Sequence, residues 1–230
     1  ALARAHRDRG EEARIMFAAG RAAAGRGEHA DAAGSFLRAV TLADGAGDSV
    51  LGTTALMHLG VSLDRAGQSR EAIASFSTAL TRSSVLRYHT DIAVELLARV
   101  GNLYLRGGDP DQATRFFTSA LRIAGERHDA LLEAYMMAQL GHTGLKGDRA
   151  EALQKFRAAY DQFRSFSYAP GIAYALYSLG VIAEQESRLT DALQLYTAAV
   201  TEQEKSLVVR PHGALFTDCE WSAARFPGED

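Results

Sequence analysis

Apolar residues recur along most of the chain at steps of three and four residues, the period of a helix with one buried face. Three such runs are the triplets Leu56, Leu59 and Leu63; Leu97, Val100 and Leu103; and Leu176, Leu179 and Ile182. No alternation of useful length, which would be typical of a strand, occurs between them. The pattern predicts an all-α chain of about ten to twelve antiparallel helices.

The stretch from residue 101 to residue 120 shows the organisation most clearly, because it predicts two amphipathic helices joined by a tight turn. Gly108 can end the first helix in a left-handed conformation. Asp109 can cap the second helix, with Pro110 at its first position and Gln112 placed for a capping box. The turn therefore carries the residues that stop one helix and start the next.

This unit occurs five times. A glycine opens each copy, at Gly20, Gly60, Gly101, Gly141 and Gly180, with spacings of 40, 41, 40 and 39 residues. Sixteen residues later comes an aromatic side chain, allowing for one deletion in the turn of the fourth copy: Phe36, Phe76, Phe117, Phe156 and Tyr196. Alanines flank each aromatic at fixed offsets. Such a period indicates helix pairs that bury their apolar faces by stacking on their neighbours, and we expect each glycine to let its two helices approach closely.

The order of glycine, alanine, aromatic and alanine at these offsets resembles the tetratricopeptide repeat (TPR) family over residues 11–205. Each copy is about six residues longer than the usual 34. Long repeats of this kind resemble those of bacterial peptide-sensing receptors, sensor arms of signalling ATPases and transcription activators, and kinesin light chains. The resemblance implies a right-handed superhelix of about five repeats, whose first helices line a concave groove for a peptide or partner protein.

The repeats are predicted at residues 11–48, 49–88, 89–129, 130–169 and 170–207. Residues 1–10 are either the end of a truncated repeat or an N-terminal cap. Residues 208–230 are predicted to form a capping helix and a tail, because Leu215, Cys219, Ala223 and Phe226 recur at helical steps. The alternative is that this tail folds back into the groove as an autoinhibitory segment.

The candidate groove residues combine positions that the family pattern places on the groove with two arginines, at 65 and 106, that end first helices. They are Arg14, Phe17, Arg21, Thr54, Met57, Val61, Arg65, Glu95, Asn102, Arg106, Tyr135, His142, Tyr174, Tyr177 and Val181. Tyrosines of the last two repeats would anchor a partner, although the same rings could instead pack between repeats. Arg65, Arg106 and Lys146 end successive first helices. They form either a basic row for an acidic ligand or favourable charges at helix C-termini, and we favour the second interpretation.

Composition restricts the chemistry. The net charge of −3 gives no reason to expect direct binding to nucleic acid, and no apolar run is long enough to span a membrane. Cys219 is the single cysteine, so no internal disulfide is expected, which suits a reducing compartment such as the cytoplasm. No nucleotide-binding, zinc-protease or nucleophile motif occurs. The seven histidines fall at different repeat phases and are expected in solvent or in turns. We therefore expect no enzyme activity, no cofactor and no metal site.

The sequence favours a non-catalytic scaffold that binds a protein or peptide in the groove. The alternative is the sensor or regulatory arm of a larger multidomain signalling ATPase or transcription activator, an interpretation that the start at Ala1 rather than at a methionine suits. Self-association, or attachment to other domains of a longer chain, stays open. The carboxylate clamp of TPR co-chaperones is not expected, because Ala98 and Tyr174 stand where lysines are needed.

Overall fold

The computed structural model describes residues 2–86, 90–145 and 147–208. These residues form ten helices and no strand, so the predicted all-α fold is confirmed. The helices are α1 Leu2–Gly25, α2 His29–Ala46, α3 Ser49–Arg65, α4 Ser69–Leu86, α5 Thr90–Arg106, α6 Pro110–Glu126, α7 Ala130–Gly144, α8 Arg149–Ser165, α9 Ala169–Gln185 and α10 Leu189–Val208. The predicted capping helix and tail from residue 209 onwards lie outside the described residues, as does Lys146 of the predicted basic row.

The chain divides into two compact units, Ala1–Gln162 and Phe163–Asp230. In the first unit, each helix from α1 to α6 packs against the next helix in sequence, and α7 meets α8 where Gly141 faces Phe156. In the second unit, α9 packs along α10, and Gly171 at the start of α9 faces Phe163 at the end of α8. Neighbours in sequence are thus neighbours in space, as expected of stacked helix pairs.

Close crossings of glycine and aromatic residues hold the two helices of each pair together, as the sequence predicted. A Cβ atom added to Gly60 would lie 2.5 Å from the ring of Phe76, and one added to Gly101 would lie 2.6 Å from the ring of Phe117. The same pairing joins Gly20 to Phe36 and Gly180 to Tyr196. The missing side chain lets each ring fill the crossing completely, so any larger residue would force the helices apart.

The first helix is longer than the sequence predicted. It runs without a break from Leu2 to Gly25, so residues 2–10 continue directly into the first helix of the first predicted repeat. A single glycine inside a helix costs only about 1 kcal/mol relative to alanine, which is too little to end it. Gly10 and Arg9 lie beside the end of α2, where Ala46 and Gly45 approach them. The extension therefore gives α2 a partner along its whole length.

The turns carry the predicted stop and start residues. Gly108 has φ 81°, in the left-handed region that favours glycine. The Asp109 Oδ1 atom accepts a hydrogen bond of 3.0 Å from the Gln112 backbone N–H. Aspartates before α3, α7 and α8 cap those helices in the same way. Local chemistry at these turns therefore fixes where successive helices begin.

Replacing Asp109 by alanine is expected to lower the free energy of unfolding by about 1 kcal/mol, because a helix N-terminal N–H group loses its acceptor. Urea unfolding followed by circular dichroism measures the loss. Asp109→Asn keeps an acceptor oxygen at the same place and should retain most of the stability. Equal losses in the two variants would contradict the capping role.

Candidate partner-binding site

The first helices of the first two repeats, α1 and α3, meet at a group of aromatic rings. The ring of Phe17 on α1 lies 5.1 Å from that of His58 on α3, edge to face, and 5.6 Å from that of Phe36 on α2. His58 also stacks on Phe36, with ring centroids 5.3 Å apart. Aromatic pairs in these geometries stabilise a packing arrangement beyond the area they bury. They join the first helices of the first two repeats.

Charged side chains surround these rings. Glu95 and Arg99 on α5 form an ion pair of 2.7 Å that is mostly shielded from solvent. Burial lowers the pKa of the His58 imidazole, and the Arg21 guanidinium on α1 lowers it further, while Glu95 acts in the opposite direction. The His58 ring is therefore neutral at pH 7. We call Phe17, Arg21, His58, Glu95 and Arg99 the central cluster; it draws on α1, α3 and α5.

Two members of the central cluster were missed by the sequence analysis. His58 and Arg99 each lie two residues before the glycine of their repeat, a position that the family pattern did not assign to the groove. Gln139 occupies the same phase in the next first helix. The sequence signal that could have identified them is a polar side chain two residues before the repeat glycine in three successive first helices.

The predicted groove residues differ widely in exposure. Four arginines are exposed: Arg14, Arg21, Arg65 and Arg106. Ten residues are half-buried: Phe17, Thr54, Met57, Val61, Glu95, Asn102, His142, Tyr174, Tyr177 and Val181. Tyr135 alone of the set is buried, with 9% of its surface exposed. Its ring packs inside the first unit, which favours the packing interpretation for this tyrosine over the anchoring one.

Two tyrosines of the second unit, Tyr177 and Tyr196, pack as a pair. The ring of Tyr177 on α9 lies 5.5 Å from that of Tyr196 on α10. The Tyr196 hydroxyl donates a hydrogen bond of 2.6 Å to the Glu184 carboxylate. Burial raises the pKa of Tyr196, and the hydrogen bond to Glu184 raises it further. Tyr177 is thus a half-buried ring that supports the crossing at Gly180 and still exposes part of its surface.

The histidines at positions 58 and 142 correct one expectation. His142 lies half-buried against Phe156, with ring centroids 4.9 Å apart, and burial lowers its pKa to about 4. Neither it nor His58 is a solvated or turn residue. His58 stacks on Phe36 of the preceding repeat, whereas His142 meets Phe156 of its own helix pair.

Arg106, one of the predicted basic row, is engaged with a neighbouring repeat. Its guanidinium bonds the Asp64 carboxylate of α3 at 2.5 Å. A similar pair joins Arg82 of α4 to Asp44 of α2 at 2.7 Å. Arg106 therefore links successive first helices, which supports the structural interpretation for this residue.

The described part of the chain contains neither a metal-binding group of side chains nor a helix fit to span a membrane. No three histidine, cysteine, aspartate or glutamate side chains there come close enough together to hold a metal ion. None of the described helices combines the length and the apolar character needed to cross a membrane.

Helix pairs of about forty residues, each closed by a glycine against an aromatic ring, define a helical-repeat protein. The sequence profile of the tetratricopeptide repeat matches residues 57–128 and 146–206, more than half of the chain. The chain belongs to the tetratricopeptide repeat family. Proteins built from this repeat are generally non-catalytic scaffolds for other proteins. No curated protein matches the chain by sequence.

Solved structures with this fold include three that differ in length. A Rap protein complexed with competence and sporulation factor is 17% identical, with 84% of this chain and 54% of that chain covered and a TM-score of 0.69. BtubC from P. vanneervenii is 15% identical, with 96% and 99% covered and a TM-score of 0.70. Aspartyl phosphate phosphatase F from Bacillus subtilis is 14% identical, with 86% and 52% covered and a TM-score of 0.76. The chain spans about half the length of the first and third of these proteins, and the likeness shows the fold.

Proposed function

We propose that this chain is a non-catalytic cytoplasmic scaffold that binds an acidic peptide segment of a protein partner on the first helices of its first unit. The observation that carries the proposal is the central cluster, where aromatic rings and arginine side chains from α1, α3 and α5 lie together. Partner-binding surfaces are enriched in aromatic residues and arginine, and these residue types contribute most of the binding energy. Further groove positions extend this surface along α3, α5 and α7.

An acidic partner fits the charges of this surface. Its cations are Arg14, Arg21, Arg65, Arg99 and Arg106. They outnumber the carboxylates of Glu11, Glu95 and Asp64 that pair with three of them, whereas the whole chain carries a net charge of −3. Arg21 is exposed and forms no ion pair within the described residues. Its charge is therefore available to a carboxylate of the partner, which would be steered to the surface over a distance set by salt screening.

The half-buried ring of Phe17 suits an apolar or aromatic side chain of the same partner. It already contacts His58, whose neutral ring adds an uncharged platform beside Arg21. A peptide with acidic residues next to a large apolar residue would thus place a carboxylate near Arg21 and its apolar side chain against Phe17. Uncharged contact area contributes affinity and the arginines contribute selectivity and association rate.

Selection from a random peptide display library tests this proposal, followed by affinity measurements on synthetic peptides by fluorescence anisotropy. We expect enrichment of peptides that combine aspartate or glutamate with an aromatic residue. Arg21→Glu should weaken their binding by about tenfold or more, since one attraction becomes a repulsion. Higher salt should weaken binding to the unaltered protein.

Arg115→Glu is the matched control. Arg115 is also exposed and forms no ion pair within the described residues, but it lies on α6, the second helix of its repeat, and so outside the proposed surface. It should leave affinity nearly unchanged. Selected peptides that lack an excess of acidic residues, or that bind both variants equally, would contradict the proposal.

A regulatory arm of a larger multidomain signalling ATPase or transcription activator is the second candidate. The observation in its favour is the repeat period of about forty residues, which resembles the long repeats of bacterial regulators. In that case the same surface would receive an effector rather than a permanent partner. The genomic reading frame around the chain distinguishes the two, because an adjoining nucleotide-binding or DNA-binding domain would support the arm.

A further inference from the structure

An ion pair between the second helices α2 and α4 passes directly over the first turn of α3. Two nitrogen atoms of the Arg82 guanidinium donate hydrogen bonds of 2.7 and 3.0 Å to the two carboxylate oxygens of Asp44. Gly52 of α3 lies against this pair, because a Cβ atom added there would lie 3.0 Å from Asp44 Oδ1 and 3.2 Å from Arg82 Nη1. The missing side chain therefore leaves room for a contact of two parallel hydrogen bonds from one repeat to the next.

The other end of α3 is also joined to a neighbouring repeat. Asp64, in the last turn of α3, accepts a bond of 2.5 Å from Arg106 of α5. His58 lies midway between the two contacts, six residues after Gly52 and six before Asp64, or about 9 Å along the helix axis in each direction. Two pairs of arginine and aspartate therefore bracket the histidine of the central cluster.

The pair over Gly52 is specific to the junction between the first two repeats. The residues that correspond to Asp44, Gly52 and Arg82 one repeat later are Ser84, Ala93 and Ile123. Serine and isoleucine cannot form an ion pair, so this contact is not a general part of the repeat. It occurs at the junction where α1, α2 and α3 bring the rings of the central cluster together.

We propose that Arg82 is a positioning residue for the central cluster. By bonding Asp44 across Gly52, it fixes how α3 packs on α2. Phe36 lies on the same helix as Asp44, eight residues earlier, and His58 lies on α3. A shift of α3 relative to α2 would therefore separate the Phe36 and His58 rings, whose centroids lie 5.3 Å apart. The consequence for a bound peptide rests on the proposed function, whereas the consequence for the rings does not.

The pair affects geometry more than stability. The side chains of Arg82 and Asp44 are 32% and 44% exposed, so water screens their attraction and little of the stability depends on it. An attraction of this size still shifts the equilibrium between two packing arrangements by about threefold. Because Arg82 lies on a second helix, its replacement leaves every side chain of the proposed surface unchanged.

The NMR signals of the His58 ring report its position, because the ring current of Phe36 shifts the signals of a ring stacked on it. The variant His58→Gln assigns them. Arg82→Asp turns the attraction to Asp44 into a repulsion, so we expect the His58 signals to move towards their values in an unfolded chain. An acidic, aromatic-containing peptide from the display selection should bind this variant about tenfold more weakly. Arg82→Gln, which only removes the attraction, should weaken binding by about threefold.

The exchanged pair Asp44→Arg with Arg82→Asp supplies the rescue, and it should return the signals and the affinity to within about twofold of the parent. Arg122→Asp is the matched control, because it makes the same change of charge but breaks a pair with Glu126 inside the single helix α6. It should leave both readouts unchanged.

Three results would overturn the proposal: unmoved His58 signals in a folded Arg82→Asp variant, no return of the signals in the exchanged pair, or moved signals with unchanged affinity. Arg82→Gln replaces Arg82→Asp in these comparisons if circular dichroism shows that the aspartate variant does not fold. If the signals move and return as expected but the parent binds no selected peptide, the proposed function fails and the positioning of the rings by Arg82 stands.

Discussion

Replacing Phe117 by alanine is expected to lower the free energy of unfolding of the first unit by about 3–5 kcal/mol. The Phe117 ring is 0% exposed and fills the crossing opposite Gly101. No side chain at position 101 can move into the space, so the variant keeps a cavity and loses the transfer free energy of the ring as well. Urea unfolding followed by circular dichroism measures the loss.

Phe116→Ala is the control within the same helix. Phe116 is half-buried, and its ring stacks on Tyr104 with centroids 5.5 Å apart. Its loss should be clearly smaller, because water can enter the space that the ring leaves. If both variants were destabilised equally, the crossing of glycine and aromatic would not be the element that holds the helix pair together.

Acidification is expected to destabilise the fold through His142. The folded-state pKa of about 4 lies below the ordinary value of 6.5, so the folded protein resists protonation of this ring and the unfolded chain accepts it. The contribution is complete above pH 6.5 and is lost as the pH falls from 6.5 towards 4. At pH 4 the loss should reach at most about 3 kcal/mol. Free energies of unfolding measured between pH 7.5 and 4 give the slope.

The variant His142→Gln cannot gain the proton in either state, so its free energy of unfolding should fall less steeply over the same interval. The difference between the two curves isolates this histidine from the carboxylates that also titrate in acid. Parallel curves for the variant and the parent would show that His142 takes up its proton equally well in the folded and unfolded states.

The repeated pairing of glycine with an aromatic residue made most of the fold predictable. Gly101 and Phe117 are sixteen residues apart, and a turn capped by Asp109 lies between them. Both the turn and the crossing are therefore local. The sequence is enough to determine which two helices pair and at which residues they cross. The position of Gly10 was less informative, since one glycine is a weak signal and the helix continues through it.

The candidate site was predicted in part. The family pattern placed Phe17, Arg21 and Glu95 on the first helices, and the structure brings their helices together around His58. It did not indicate His58 or Arg99, because their significance depends on contacts between repeats that are about forty residues apart. The burial of Tyr135 likewise depends on side chains from other helices.

By itself, the sequence determined that this protein is a tetratricopeptide repeat array, because helix periodicity, caps and glycine–aromatic pairs act over distances shorter than one repeat. The tertiary structure alone decided which groove residues remain accessible, that His142 is shielded by Phe156, and that Arg106 is paired with Asp64. It also showed that Leu193 and Val200 are exposed on α10 while their counterparts in earlier repeats are covered. Exposure depends on which neighbouring helix is present, and an identical residue at an identical repeat phase is buried or exposed according to that neighbour.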